Sequence, residues 1–244
     1  VSGDSPRGPR APLAGVLLDL DGTLLDTAPD LTRALNALLI EERLAPLPLA
    51  QVRPHVSHGA SAVVRLGFPE TAVERFDTLR ARFLELYARA LAIDTVLFPG
   101  FREVLDELDA HRLPWGVVTN KPARFTEPLL QTLGLRTRAR CVISADSLPR
   151  RKPDPLPLLV AAQNLGLAPS QCLYLGDALR DAQAAQAAGM VALGARYGYL
   201  QAADEPDSWP VHGWINTPAG LLDWVGLERP GAARQAHEPL AAVS

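Results

Sequence analysis

A short apolar run that stops at a carboxylate constrains this chain more than any other feature. Ala14-Gly-Val-Leu-Leu-Asp-Leu carries no polar side chain before Asp19 and no helical spacing, as expected of a strand buried on both faces. The same grammar returns in Pro114-Trp-Gly-Val-Val-Thr-Asn, Cys141-Val-Ile-Ser, Gln171-Cys-Leu-Tyr-Leu-Gly-Asp and Met190-Val-Ala-Leu-Gly, the last of these runs. Helical patterns fill the gaps at 102–111, 125–133, 154–165 and 181–188, and Gly134, Gly166 and Gly189 close three of them. Strands alternating with helices at this spacing predict right-handed βαβ units and an α/β, Rossmann-like parallel sheet.

One block breaks the alternation. From Thr27 onward Leu31, Leu35, Leu38 and Leu39 recur at helical spacing, with Pro29 in the first turn and Asp26 or Thr27 placed to cap it. Further helical stretches follow at 59–65 and 70–90, with no strand between, until Phe98-Pro-Gly-Phe ends the pattern. The chain thus divides into a discontinuous α/β core, 11–25 and 96–228, and an inserted all-helical cap, 26–95. The segments 1–10 and 229–244 read as flexible termini, and 221–225 as a short closing helix.

Composition removes several function classes. A net charge of −3 offers no basic field for nucleic acid. No apolar run approaches the roughly 20 residues that cross a bilayer, so no membrane partner is expected. Cys141 and Cys172 fit neither a zinc nor a CxxC spacing and read as small buried residues in a reducing, cytoplasmic setting. No GxGxxG follows the first run, which argues against a dinucleotide-binding domain.

In an open parallel sheet, ligands sit beyond the carboxyl ends of the strands. That rim would gather Asp19 and Asp21 from the first run, Thr119 and Asn120 from the second, and Gly176 and Asp177 from the fourth. Lys152 lies in the loop after the third. Two aspartates two residues apart are often a solvated turn. The buried run before them, Gly22-Thr23 after them and three matching loops downstream argue for a site instead.

Asp19-Leu-Asp-Gly-Thr-Leu-Leu-Asp resembles the first motif of the haloacid dehalogenase-like hydrolase superfamily, in its phosphatase branch. Thr119 is similar to its second motif, Lys152-Pro-Asp-Pro to its third, and Gly176-Asp177 with Asp181 to its fourth. The resemblance covers about 13–226. It implies that Asp19 is a nucleophile forming an aspartyl-phosphate, and that Asp21 is general acid and then base. It also implies Mg²⁺ bound by Asp19, Asp177 and the Asp21 carbonyl, with Asp181 acting indirectly on metal waters or on Lys152. Thr119, Asn120 and Lys152 would hold phosphate oxygens. Where relatives often carry a second acidic or hydroxyl residue after the metal aspartate, this chain has Ala178, which implies weaker metal binding.

Within the superfamily, His58-Gly59-Ala60 resembles the site-facing cap segment of phosphoglycolate-phosphatase-like members, and Arg65 is placed to meet a substrate carboxylate. The stretch from Trp115 through Pro128 and Arg196-Tyr-Gly-Tyr resemble a subgroup near bacterial N-acetylmuramic acid 6-phosphate phosphatases. The expectation is a magnesium-dependent phosphatase of a small phosphate ester, monomer or homodimer. Its alternatives are a phosphomutase of the same fold and a non-catalytic binding module.

Overall fold

The computed structural model describes residues 12–229; the terminal segments expected to be flexible lie outside the described residues, save Arg229. The apolar runs form β1 (Gly15–Leu18), β4 (Trp115–Val118), β5 (Cys141–Ile143), β6 (Cys172–Gly176) and β7 (Val191–Ala195). Two short strands, β2 (Leu25–Asp26) and β3 (Val96–Leu97), form a separate antiparallel pair. A further strand, β8 (Gly213–Ile215), lies beyond the run read as the last. Three residues flanked by turn formers carry too little apolar pattern to announce a strand; pairing against Leu193–Ala195 makes it one.

The main sheet is six-stranded in the order β5-β4-β1-β6-β7-β8, and every pairing is parallel. β1 is therefore central, which explains why its run is fully buried. Successive side chains point to opposite faces. Val16 and Leu18 meet Phe101, Val104 and Leu105 of α5 (Phe101–Ala110) and Leu129 of α6 (Ala123–Thr132) in one core. Leu17, one residue away, joins Leu158 and Ala161 of α7 (Leu156–Leu165) and Ala184 of α8 (Leu179–Ala187) in the other. The short α9 (Gly220–Trp224) closes the first face through Leu221 and Leu222. Burying each valine, leucine or phenylalanine among them contributes about 1.5–3 kcal/mol.

Between β2 and β3 the chain is helical: α1 (Ala28–Glu41), α2 (Leu49–Val52), a 3₁₀ turn at Arg53–His58, α3 (Ala60–Gly67) and α4 (Val73–Arg89). The leucine stripe of α1 packs against Phe76, Leu79, Phe83 and Tyr87 of α4 and Val63 and Val64 of α3. Neither expected cap residue bonds to the α1 N-terminus. Thr27 donates its hydroxyl to Asp21 at 2.6 Å, and Asp26 takes a bidentate contact from Arg53 at 3.0 and 2.9 Å. Both side chains are diverted to the rim where helices meet sheet.

The same junction is tied by Asp30 in α1. Its buried carboxylate accepts the Ile93, Asp94 and Thr95 N–H groups at 3.1, 2.9 and 3.1 Å and the Thr95 hydroxyl at 2.6 Å. This holds the segment that returns the chain to the sheet.

Candidate active site

The carboxyl ends of β1 and β6 are adjacent, and each delivers a buried aspartate. Asp19 follows β1, and Asp177 follows β6. Asp181 sits in the first turn of α8, where its Oδ2 accepts the Ala178 N–H at 3.0 Å. Ligand oxygens of Asp19, Asp177 and Asp181 all lie within 4.8 Å of one another. Gly176 lets α8 come this close, because a Cβ there would stand 2.4 Å from that of Asp181.

Three buried carboxylates so near each other resist ionisation together. Burial first, then the Asp181 charge, pushes Asp19 up to about 6 in spite of Lys152. Burial and the charges of Asp19 and Asp181 push Asp177 up to about 7, against hydrogen bonds from Ser57 and the Tyr199 N–H. Burial alone would raise Asp181 too, but Lys152, Arg180 and its own helix N-terminus hold it below the ordinary value. The donor set is all oxygen and carries excess negative charge, so it fits a divalent cation.

Lys152 is fully buried, and its ammonium reaches Asp19 at 2.9 Å, Asp181 at 2.8 Å, the Tyr174 hydroxyl at 2.7 Å and the Val118 carbonyl at 2.9 Å. Three N–H donors thus face four acceptors, and none is left over for a phosphate oxygen without an exchange of partners. Asn120 supports this arrangement by donating to the Lys152 carbonyl at 2.9 Å. Thr119 stands at the end of β4 beside β1; its hydroxyl oxygen accepts the Lys121 N–H at 3.1 Å, which leaves the hydroxyl proton to donate.

Asp21 is held by two partners, the Thr27 hydroxyl and the Lys121 ammonium, the latter at 3.0 Å. Lys121 is a site residue that sequence reasoning passed over, although it directly follows Thr119 and Asn120. Its ammonium also lies 4.7 Å from the ring centroid of Tyr87 in α4, and Tyr87 packs on Phe125 of α6 at 5.3 Å.

The helical segment reaches the cluster through Ser57, whose hydroxyl donates to Asp177 Oδ2 at 2.7 Å. Asp177 is also embraced by Gly22 and by Gly198 of the Arg196-Tyr-Gly-Tyr stretch. A Cβ on Gly22 would fall 2.0 Å from Asp177 Oδ2, and one on Gly198 2.4 Å from its Cβ. A cavity of about 340 Å³ adjoins Asp177 and is lined by Ser57, His58, Arg180, Tyr199, Asp204 and Trp209, among others. His58 therefore faces the site region, where its ring contacts Asp204 at 3.2 Å. Arg65 does not. It is exposed, bonds to the Thr71 carbonyl at 3.2 Å and stacks 3.8 Å over Phe76. α3, which carries it, points it outward, and Arg180 lines the cavity instead.

The sequence profile described as haloacid dehalogenase-like hydrolase matches residues 16–195. The chain belongs to that family. This haloacid dehalogenase-like hydrolase is 41% identical over 224 residues to a phosphoglycolate phosphatase of Xanthomonas campestris, covering 92% of this chain and 100% of the relative. It is also 41% identical over 210 residues to an N-acetylmuramic acid 6-phosphate phosphatase of Pseudomonas putida, covering 86% and 94%. A crystal structure from Haemophilus somnus, described as a predicted phosphoglycolate phosphatase, superposes with a TM-score of 0.73 at 29% identity, covering 86% of this chain and 97% of the other. In this hydrolase Asp19 and Asp177 directly follow adjacent parallel strands, and Asp181 joins them from the first turn of α8.

Proposed function

We propose that this hydrolase is a magnesium-dependent phosphatase that acts on a small phosphorylated metabolite through a phosphoryl group carried on Asp19. The observation that carries the reading is the buried carboxylate cluster, with Lys152 bonded to Asp19 and Asp21 held beside it by Lys121. Asp19, Asp177 and the Asp21 backbone carbonyl would hold the cation, with Asp181 behind them on Lys152. The chemistry such a cation supplies is neutralisation of charge between an anionic nucleophile and an anionic phosphoryl group.

An Asp19 oxygen forms a bond to phosphorus while the bond from phosphorus to the ester oxygen breaks. Asp21, in its acid form, gives its proton to the departing oxygen. Asp21 then takes a proton from water as that water attacks phosphorus, which frees Asp19 and releases inorganic phosphate. Lys152 keeps Asp19 oriented and partly neutralised throughout, and Thr119 offers its hydroxyl proton to a phosphoryl oxygen. The site of bond breaking is screened from water by the helical segment, which Ser57 fastens to Asp177.

Phosphoglycolate and N-acetylmuramic acid 6-phosphate, named for the relatives, are both phosphorylated acids, and the adjoining cavity of about 340 Å³ supports a leaving group up to amino-sugar size. Asp19→Asn tests the reading. Magnesium-supported turnover of an aryl phosphate should fall below roughly 1% of wild type with an unchanged melting temperature. Substantial residual turnover in the folded variant would remove Asp19 as nucleophile. Release of inorganic phosphate without an isomerised product separates this reading from a phosphomutase.

A further inference from the structure

Arg180 lends its charge to the cluster from a distance, but among the described residues no side chain holds its guanidinium directly. It sits in the first turn of α8 between Asp177 and Asp181. Its Nε is buried without a hydrogen-bond partner, and among the described residues its guanidinium makes no hydrogen bond or ion pair. Burial opposes the charge, yet Asp181, Asp19 and Asp177 at longer range more than offset that, so the group stays a cation. A buried N–H left unpaired is costly and uncommon in a native structure. An arginine in that state is a fork of donors waiting for a planar acceptor.

What it faces narrows the acceptor. Arg180 lines the cavity together with Ser57 and His58 from the helical segment and Trp209 from the loop before β8. Asp177 is the one member of the carboxylate cluster that also lines it; Asp19, Thr119 and Lys152 do not. The cavity therefore adjoins the cluster at Asp177 without including the expected phosphoryl contacts in its wall. Trp209 is held there by its own bond from Nε1 to the Asp204 carbonyl at 2.8 Å and by packing on Trp214 at 5.4 Å. Asp204 also lines the cavity but is engaged by His58 and the Gln201 N–H, so the apolar surface of Trp209 and the unpaired guanidinium suit an organic anion better than a second phosphate.

We propose that Arg180 is a specificity-determining residue that binds a carboxylate on the leaving group, so that the enzyme selects phosphorylated hydroxy acids over neutral phosphate esters. The proposal rests on the phosphatase reading above. It is tested with matched esters that differ by the carboxylate: phosphoglycolate against 2-hydroxyethyl phosphate, and N-acetylmuramic acid 6-phosphate against N-acetylglucosamine 6-phosphate. The readout is the ratio of kcat/KM within a pair, for wild type, Arg180→Gln and Arg180→Lys, with melting temperature as the fold control. Wild type should favour the acid in at least one pair, and Arg180→Gln should reduce that ratio by roughly 30-fold or more. Arg180→Lys should keep part of it, since charge survives while the fork is lost. Equal proportional loss on both members of each pair would overturn the proposal and assign Arg180 to the phosphoryl group or the cluster. An unchanged ratio, or a wild type indifferent to the carboxylate, would overturn it too. If wild type hydrolyses none of the four esters, the phosphatase reading itself fails.

Discussion

The Lys121 ammonium lies 3.0 and 3.2 Å from the two carboxylate oxygens of Asp21, one hundred residues earlier in the chain. Burial works against the lysine charge, but Asp21 and then Tyr87 raise it above its ordinary value, so the lysine stays charged beside Asp21. Among the described residues nothing else cationic holds Asp21, whose second partner is the Thr27 hydroxyl.

Replacing that lysine separates positioning from bulk. Lys121→Met should lower kcat roughly 10- to 100-fold with KM nearly unchanged, because Asp21 moves its proton only in the transition state. Lys121→Arg should recover part of the loss. The same Met variant should lose about 1–3 kcal/mol in urea unfolding, since one partner of a partly buried pair is left behind. A normal kcat in a destabilised protein would make Lys121 purely structural.

Asp30 governs the return crossing from helices to sheet. Asp30→Ala strips the partners from three backbone N–H groups at 93–95 and from the Thr95 hydroxyl, all of them served by one carboxylate. The expected cost is about 3–5 kcal/mol in chemical denaturation, at the upper end for a single substitution. Amide exchange at 93–95 should accelerate more than in α5. Uniform acceleration across the chain would mean that the crossing has no separate stability.

Cation removal should make stability depend on pH in a definite direction. In the cation-free protein Asp19 and Asp177 titrate near 6 and 7, against an ordinary value of 3.8. The folded state then binds more protons than the unfolded chain between pH 4 and 7, so unfolding free energy falls as pH rises through that window. The fall should amount to a few kcal/mol, on the order of two coupled carboxyl shifts. Asp181, shifted downward, is ionised in both states across the window and adds no slope. Melting temperature in chelator should drop from pH 5 to pH 8, and added magnesium should raise it most at the alkaline end. A flat profile would contradict the crowding of the three carboxylates.

Much of this architecture was legible because its causes are local. The β1 run is apolar on both faces since both faces are covered, and the leucine stripe of α1 repeats at the helical period since one side is buried. Asp19 and Asp177 could be placed because each ends such a run. β8 stayed hidden, since a three-residue edge strand depends on its neighbour for definition. Thr27 and Asp26 misled as helix caps for a related reason: side chains at a helix start bond to whatever the tertiary structure brings nearer, here Asp21 and Arg53.

Taken alone, the sequence determined the apolar strands β1, β4, β5, β6 and β7, the main helices and which acidic residues stand at strand ends, because periodicity and chain direction are properties of neighbours. Tertiary structure alone decided who meets whom: Lys121 with Asp21, Ser57 with Asp177, Lys152 spent on four acceptors, Arg65 turned outward and Arg180 left unpaired in the cavity. Those choices depend on packing and rotamers across segments far apart in the chain, where a shift of a few ångströms makes or breaks a hydrogen bond, and no local pattern records them.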